Sequence, residues 1–252
     1  MGFWMGFTRW IIKTLFVLSI AVFLLVSIGA HFSEKDNLKP LLQEAALSQV
    51  SSQQISELKD DLNSDCRGKE YIEQRVEQTN KTIRIDCKNI TEEYVKEIFK
   101  EQVVGTMFDS IYSQKCDGIQ CLLTNPMAVA SESANKMLKN FVTISLIITL
   151  IFAFLLILIT PGISGKLFAI GSPVMLTGLP YFFIGMTKAG ILKSMPAQAA
   201  AAGEKIVDPI LAYISSQFLI MFIMGAVLII AGFAVKFTLE KKKEIKKMGK
   251  KR

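Results

Sequence analysis

Four long uncharged stretches interrupt an otherwise mixed pattern of apolar and polar residues: 14–30, 140–160, 167–187 and 211–235. Each reaches or approaches the roughly 20 residues that a helix needs to cross a hydrocarbon core of about 30 Å. The pattern predicts an all-α integral membrane protein with four transmembrane helices. We place these helices at 11–32, 140–160, 167–187 and 211–236.

The first apolar stretch has a cleaved signal peptide as its alternative interpretation, because Arg9 and Lys13 precede it. The stretch is longer than the roughly 7–15 apolar residues of such a peptide. Trp4 and Trp10 are also placed as aromatic anchors at a membrane interface would be. We therefore predict an uncleaved first span.

The distribution of Lys and Arg predicts the orientation of the spans. The tail at 241–252 carries eight basic residues and one acid, whereas residues 31–140 carry 14 basic and 18 acidic residues. Because basic flanks mark the cytoplasmic side, we predict a protein of the cell membrane with both termini in the cytoplasm. The cytoplasmic segments are then 1–10, 161–166 and the basic tail 237–252, and the extracytoplasmic ones are a cap domain at 33–139 and a loop at 188–210.

All four cysteines fall in the predicted cap domain, at Cys66, Cys87, Cys116 and Cys121. An even number of cysteines on the oxidising side of a membrane predicts disulfides. A zinc site and a redox pair are the alternatives, but the sequence has no C-x-x-C spacing, which either would favour. We predict local pairs, Cys66 with Cys87 and Cys116 with Cys121, over the nested pairs Cys66–Cys121 and Cys87–Cys116.

The remainder of the cap is predicted to be mainly helical. Apolar residues spaced by three, four and seven predict one amphipathic helix over 34–63, and Thr91 is placed to cap a second helix. Asn125-Pro126 predicts the start of a third helix that continues into the second span. Residues 82–87, "TIRIDC", alternate in polarity and fit a short strand or an extended loop equally well. Two N-x-[ST] triplets make Asn80 and Asn89 candidate glycosylation sites.

A heptad pattern of small residues and prolines marks the last two spans. Glycines recur every seven residues in the third span, with two prolines at the same spacing, and the fourth span has two more glycines: Gly171, Pro173, Gly178, Pro180, Gly185, Gly225 and Gly232. Small residues let membrane helices approach closely. We therefore predict packing between spans three and four. A proline-kinked helix lining a pore is the alternative.

The basic tail predicts contact with anionic lipid headgroups through Lys241, Lys242, Lys243, Lys246 and Lys247. Nucleic-acid binding is not expected, since no aromatic residues interleave with these lysines. No zinc-protease, serine-hydrolase or phosphate-loop motif occurs in the sequence, so we predict neither an enzyme nor a bound cofactor or metal.

The leading functional hypothesis is a non-enzymatic protein acting in surface interaction, adhesion or membrane-complex assembly through its cap. Its expected partners are the lipid bilayer, an extracytoplasmic protein and further copies of itself. The alternative hypothesis is a pore-forming or transport subunit that uses the Gly- and Pro-rich third span.

Overall fold

The computed structural model describes residues 2–76, 81–114, 130–194 and 197–249, most of which are helical. In chain order the elements are α1 (Gly2–Phe32), α2 (Lys35–Gln49), α3 (Ser52–Asp65), β1 (Tyr71–Val76), β2 (Lys81–Asp86), α4 (Glu92–Ile98), a π-helical segment (Phe99–Val104), α5 (Gly105–Tyr112), α6 (Glu132–Ile159), α7 (Ile163–Gly178), a 3-10 segment (Leu179–Phe183), α8 (Ile184–Ser194) and α9 (Ala197–Gly249).

The chain divides into two compact units. We call the first the apolar unit; it comprises Met1–Ile28, Lys139–Thr187 and Leu211–Arg252. We call the second the mixed unit; it comprises Gly29–Leu138 and Lys188–Ile210.

Four helical stretches are long and apolar enough to cross a membrane: Gly6–Phe32, Glu132–Ile159, Ile163–Gly190 and Val207–Leu239. They confirm the number of predicted spans. Large apolar side chains remain exposed along them, including Leu150 at 59%, Phe154 at 60% and Ile230 at 67%. Contiguous exposed apolar surface of this kind is unfavourable in water, and a hydrocarbon environment removes that cost.

The core of the apolar unit forms around one face of α1. Phe16, Ile20 and Leu24 recur every four residues, so they lie on one side of the helix, and each is at most 3% exposed. They pack with Leu156 of α6 and Val174 of α7. The partly buried Phe218 and Met221 of α9 pack against the same cluster, so all four spans contribute to it.

Prolines shape the third span. Pro180 occupies the first turn of the 3-10 segment, directly after α7 ends at Gly178. A proline lacks the backbone N–H of a continuing helix and its ring collides with the carbonyl four residues earlier, so the α-helical ladder stops here. The structure resumes an α-helix at Ile184. Pro173 is instead accommodated inside α7 and is fully buried.

The core of the mixed unit lies between α3, the β-hairpin and α4. Ile55 and Leu62 of α3, Ile85 of β2 and Val95 of α4 are each 5% exposed or less. The strands β1 and β2 pair antiparallel, with Ile72 opposite Ile85. Because side chains alternate across a strand, Ile83 and Ile85 share the inward face. Thr91 caps α4 as predicted, accepting a hydrogen bond from the Tyr94 backbone N–H over 3.2 Å.

The prediction of one helix over 34–63 is wrong, because the chain breaks between α2 and α3. Ser51 accepts a hydrogen bond from the Gln54 backbone N–H over 3.2 Å, and the Gln54 side chain accepts one from the Ser51 N–H over 2.8 Å. This reciprocal capping box starts a new helix.

The prediction of an entirely α-helical protein is also too simple. The segment 82–87, whose pattern fits a strand or a loop, contributes most of β2. The sequence pattern does not predict its partner β1. The third cap helix starts later than predicted: α6 begins at Glu132, after Ser131 accepts a hydrogen bond from the Ala134 N–H. The predicted start at Asn125-Pro126 lies outside the described residues.

Candidate functional site

A disulfide fixes the β-hairpin to the end of α3. Cys66 follows the last residue of α3 and bonds to Cys87, which follows β2; their Cα atoms are 5.4 Å apart. The Cys87 backbone N–H also donates to the Glu70 carbonyl over 3.1 Å. This bridge is one of the two predicted local pairs, and it excludes the nested pairing and a zinc site that needs either thiolate. The second pair, Cys116 and Cys121, lies outside the described residues.

An apolar groove of about 370 Å³ opens in the mixed unit between α3, the hairpin and the π-helical segment. Its apolar lining consists of Leu58, Leu62, Ile83, Ile85, Ile98, Phe99 and Val103. The volume lies within the range of about 300–1,000 Å³ that is usual for ligand pockets. We call this feature the α3 groove.

The lining of the α3 groove passes from core to surface. Ile85 and Leu62, at its base, are 2% and 5% exposed, whereas Leu58 is 45% exposed. Leu58 and Leu62 are four residues apart on α3 and so lie on the same face of the helix. The groove therefore joins the hydrophobic core to an uncovered apolar rim on α3.

Two carboxylates line the α3 side of the groove. Asp61 and Asp65 are also four residues apart, and both are exposed. Neither belongs to an ion pair among the residues that the structure describes. On the strand side, Gln74 and Arg75 complete the lining, and Arg75 takes part in an interaction of its own. The α3 rim is therefore acidic and lacks a described cation to neutralise it.

The outer face of the hairpin carries a shallower polar pocket of about 310 Å³. The Arg84 guanidinium stacks over the Tyr71 ring at 3.8 Å from its centroid. The Tyr94 hydroxyl accepts a hydrogen bond from the Asp86 backbone N–H over 3.1 Å. Lys88 lies 3.8 Å from the Glu70 carboxylate. These groups satisfy one another, so the pocket offers less unmatched chemistry than the α3 groove.

Polar contacts join α2 to the π-helical segment within the mixed unit. Gln43, 3% exposed, donates to the Lys100 carbonyl over 2.9 Å. The Lys100 ammonium donates to the Glu44 carboxylate over 2.6 Å. This hydrogen bond, supported by the charges of Lys100 and Lys205, lowers the pKa of Glu44, although burial partly opposes the shift. A Cβ at Gly105 would lie 3.2 Å from the Lys39 side chain, so the helices approach closely here.

The predicted glycines of spans three and four meet in the apolar unit. A Cβ built on Gly178 would lie 2.6 Å from Phe222 Cα and 2.7 Å from the Phe218 carbonyl oxygen. A Cβ on Gly225 would lie 2.5 Å from Met175 Cα. Real Cβ atoms essentially never come so close. The backbones of α7 and α9 are thus in direct contact at these two glycines.

Gly171 and Gly232 lie on the same contact between α7 and α9. A Cβ on Gly171 would lie 3.1 Å from the Gly225 carbonyl oxygen, and one on Gly232 would lie 3.3 Å from the Phe168 ring. The Ser164 hydroxyl adds a hydrogen bond to the Gly232 carbonyl over 2.9 Å.

Gly185 does not share this contact, since a Cβ added there would have no heavy atom within 4 Å among the described residues. The 3-10 segment after Gly178 changes the helical phase, so the heptad stripe does not continue through it.

The remaining predicted positions have no common site among the described residues. Asn89 is exposed with a φ of 60°, and the Thr91 hydroxyl of its triplet is engaged in capping α4. Asn80 lies outside the described residues. The five tail lysines belong to α9, but their side chains are outside what the structure describes.

The fold and the groove together define the class of the molecule. Four apolar helices make it a multi-pass membrane protein, and a disulfide-bonded unit of helices and a hairpin accompanies them. A search of protein-family models, curated proteins and solved structures finds no match to the chain.

Proposed function

We propose that this multi-pass membrane protein is non-enzymatic and acts in surface interaction, adhesion or membrane-complex assembly through its mixed unit. The observation that carries the proposal is that the mixed unit has a core of its own, a disulfide and an uncovered apolar groove. Exposed apolar surface with a polar rim is typical of protein interaction sites. The proposal places the mixed unit on the extracytoplasmic side, as the basic residues of the tail favour.

The proposal is tested by cross-linking from defined positions in native membranes. A photo-reactive residue replaces Leu58 at the α3 groove, Glu73 on the exposed face of β1, or Leu150 on α6. Leu150, 59% exposed on an apolar span, is the matched control for contacts with lipid. We expect discrete protein cross-links from Leu58 or Glu73 and only lipid adducts from Leu150. The absence of protein cross-links from both positions in the mixed unit would overturn the proposal.

A pore or transport subunit is the weaker proposal. Its motivation is the glycine and proline pattern of the third span. The close contact of Gly178 with α9 favours a packing role for that pattern over a water-filled path. A liposome flux assay separates the two functions, since selective flux that is lost in Gly178→Leu while the protein stays folded would favour the pore.

A further inference from the structure

We infer that the α3 groove binds a protein segment in which a basic side chain stands beside apolar ones. This inference rests on the proposed function and adds the chemistry of the partner. The groove supplies two unlike surfaces side by side, an apolar trough and an acidic rim. A partner has to match both.

The apolar part of the occupant follows from the groove lining. Ile83 and Ile85 form the inward face of β2, and Leu58 continues the apolar surface to the outside. Transfer of apolar side chains from water onto such a surface is favourable roughly in proportion to the area removed from water. A purely polar partner would leave this surface hydrated and would gain nothing from it.

The basic part of the occupant follows from the charge of α3. Asp61 and Asp65 both line the groove, and α3 also carries Glu57 and Asp60 against one lysine, Lys59. Charge complementarity at the rim of an interface selects partners and suppresses those of like charge. An acidic segment would be repelled by this helix, whereas Lys or Arg beside the apolar side chains would pair with it.

A protein segment fits this combination better than a lipid tail does. A tail would use the trough but would leave both carboxylates unmatched. A segment of chain presents apolar and basic side chains at fixed spacing. It can therefore reach the base of the groove near Ile85 and the rim at Asp61 and Asp65 together.

The test uses the full chain in nanodiscs of zwitterionic lipid and four short labelled peptides of equal length. One combines leucines with lysines. In two others the lysines become glutamines or glutamates, and in the fourth the leucines become serines. Binding is measured by fluorescence anisotropy, with empty nanodiscs subtracted. We expect the leucine–lysine peptide to bind at least about fivefold more tightly than each of the others, and this preference to shrink as salt screens the charges.

Variants assign the binding to the groove. The double variant Asp61→Asn, Asp65→Asn should reduce the affinity of the leucine–lysine peptide to that of the glutamine peptide. The matched control, Glu57→Gln with Asp60→Asn, removes two charges from the same helix outside the groove and should keep most of the preference. Leu58→Ser should weaken the binding of every leucine-containing peptide. All these side chains are exposed, so folding is expected to be retained.

Several results would overturn the inference. These are equal binding of the lysine and glutamate peptides, an equal loss in the control variant, or no binding above that of empty nanodiscs. Groove-dependent dimers of the wild type that exclude the peptides would assign the groove to a second copy of the chain instead. Cross-links from Glu73 alone, together with failed peptides, would leave the proposed function standing and remove the groove from it.

Discussion

Adding a single methyl group at Gly178 tests the packing of the membrane helices. In Gly178→Ala the new Cβ would lie 2.6 Å from Phe222 Cα and 2.7 Å from the Phe218 carbonyl oxygen. Both atoms belong to the backbone of α9, so no side chain can rotate away. Ordinary contact begins at 3.4 Å, and α7 and α9 must therefore separate by 3.4 − 2.6 = 0.8 Å.

That separation has a definite energetic cost. A gap of about 0.5–1 Å already removes a quarter to a half of the dispersion energy of each atom pair that it separates. Overpacking typically costs about 1–3 kcal/mol, and the better helix propensity of alanine returns about 0.5–1 kcal/mol. We expect a net loss of about 1–2 kcal/mol. For a chain of this size the melting temperature then falls by about 2–8 °C, at 2–4 °C per kcal/mol.

The assay is thermal unfolding of the purified protein in a mild detergent, followed by the loss of the monodisperse peak in size-exclusion chromatography. Gly185→Ala is the matched control, because it makes the same change at the next heptad position, where no described atom lies within 4 Å. We expect the control to melt at the wild-type temperature or slightly above it. Gly225→Ala should resemble Gly178→Ala, since its Cβ meets Met175.

The double variant Gly178→Ala, Gly225→Ala sharpens the test. Both methyl groups separate the same two helices, so the second should cost less than it does alone, and the two losses should not add. If Gly178→Ala and Gly185→Ala melt at the same temperature as the wild type, the backbone contact between α7 and α9 does not exist as described, and the packing argument fails.

Three further predictions concern the mixed unit. Mass mapping without reduction should recover the Cys66–Cys87 peptide pair, and replacing both residues with serine should lower the unfolding free energy by about 3 kcal/mol; a free thiol at either position would contradict this. Glu44→Gln should lower stability by about 0.2–1 kcal/mol at neutral pH, because the pair with Lys100 is about one-third exposed. The folded-state pKa of Glu44 is lowered, so its contribution is present above the unfolded pKa of about 4.3 and is lost as the pH falls through the folded value; a difference that persists unchanged at pH values well below both would refute this assignment. Ser51→Ala should cost about 0.5–2 kcal/mol in thermal or denaturant unfolding because it removes the capping box of α3, and an unchanged stability would show that the helix break has another cause.

The sequence predicts the spans well because a bilayer imposes one simple requirement on them. Twenty or so apolar residues are needed, and the four runs meet it whatever the tertiary packing. The ends are less predictable. The helix α6 begins at Glu132, eight residues before the predicted span at 140, because a polar turn continues a helix without any change in its backbone geometry.

The mixed unit is harder to predict, and its residues show why. The capping signal at Ser51 and Gln54 stands in the sequence as S-x-x-Q, and it could have marked the helix break. The strand β1 carries Gln74 opposite Ile83 on the same face of the sheet, so its alternation of apolar and polar residues is imperfect. The alternation therefore indicates β2 as a candidate strand and does not indicate β1.

The α3 groove could not be predicted from the sequence by spacing rules. Its lining runs from Leu58 to Val103 and comes from α3, both strands and the helical segment after α4. Only tertiary packing brings these side chains together. The one local signal was the i, i+4 spacing of Leu58 with Leu62 and of Asp61 with Asp65, which by itself describes an ordinary amphipathic helix.

Partner binding by the mixed unit at a cell surface depends on which side of the membrane that unit faces. A single cysteine is introduced at Glu73, exposed on β1, or at Lys243 in the tail, in a background with Cys116 and Cys121 changed to serine. Intact cells are then treated with a membrane-impermeant maleimide. The account predicts labelling of Glu73→Cys on intact cells and of Lys243→Cys only after lysis. Labelling of the tail from outside, with Glu73→Cys protected until lysis, would contradict it.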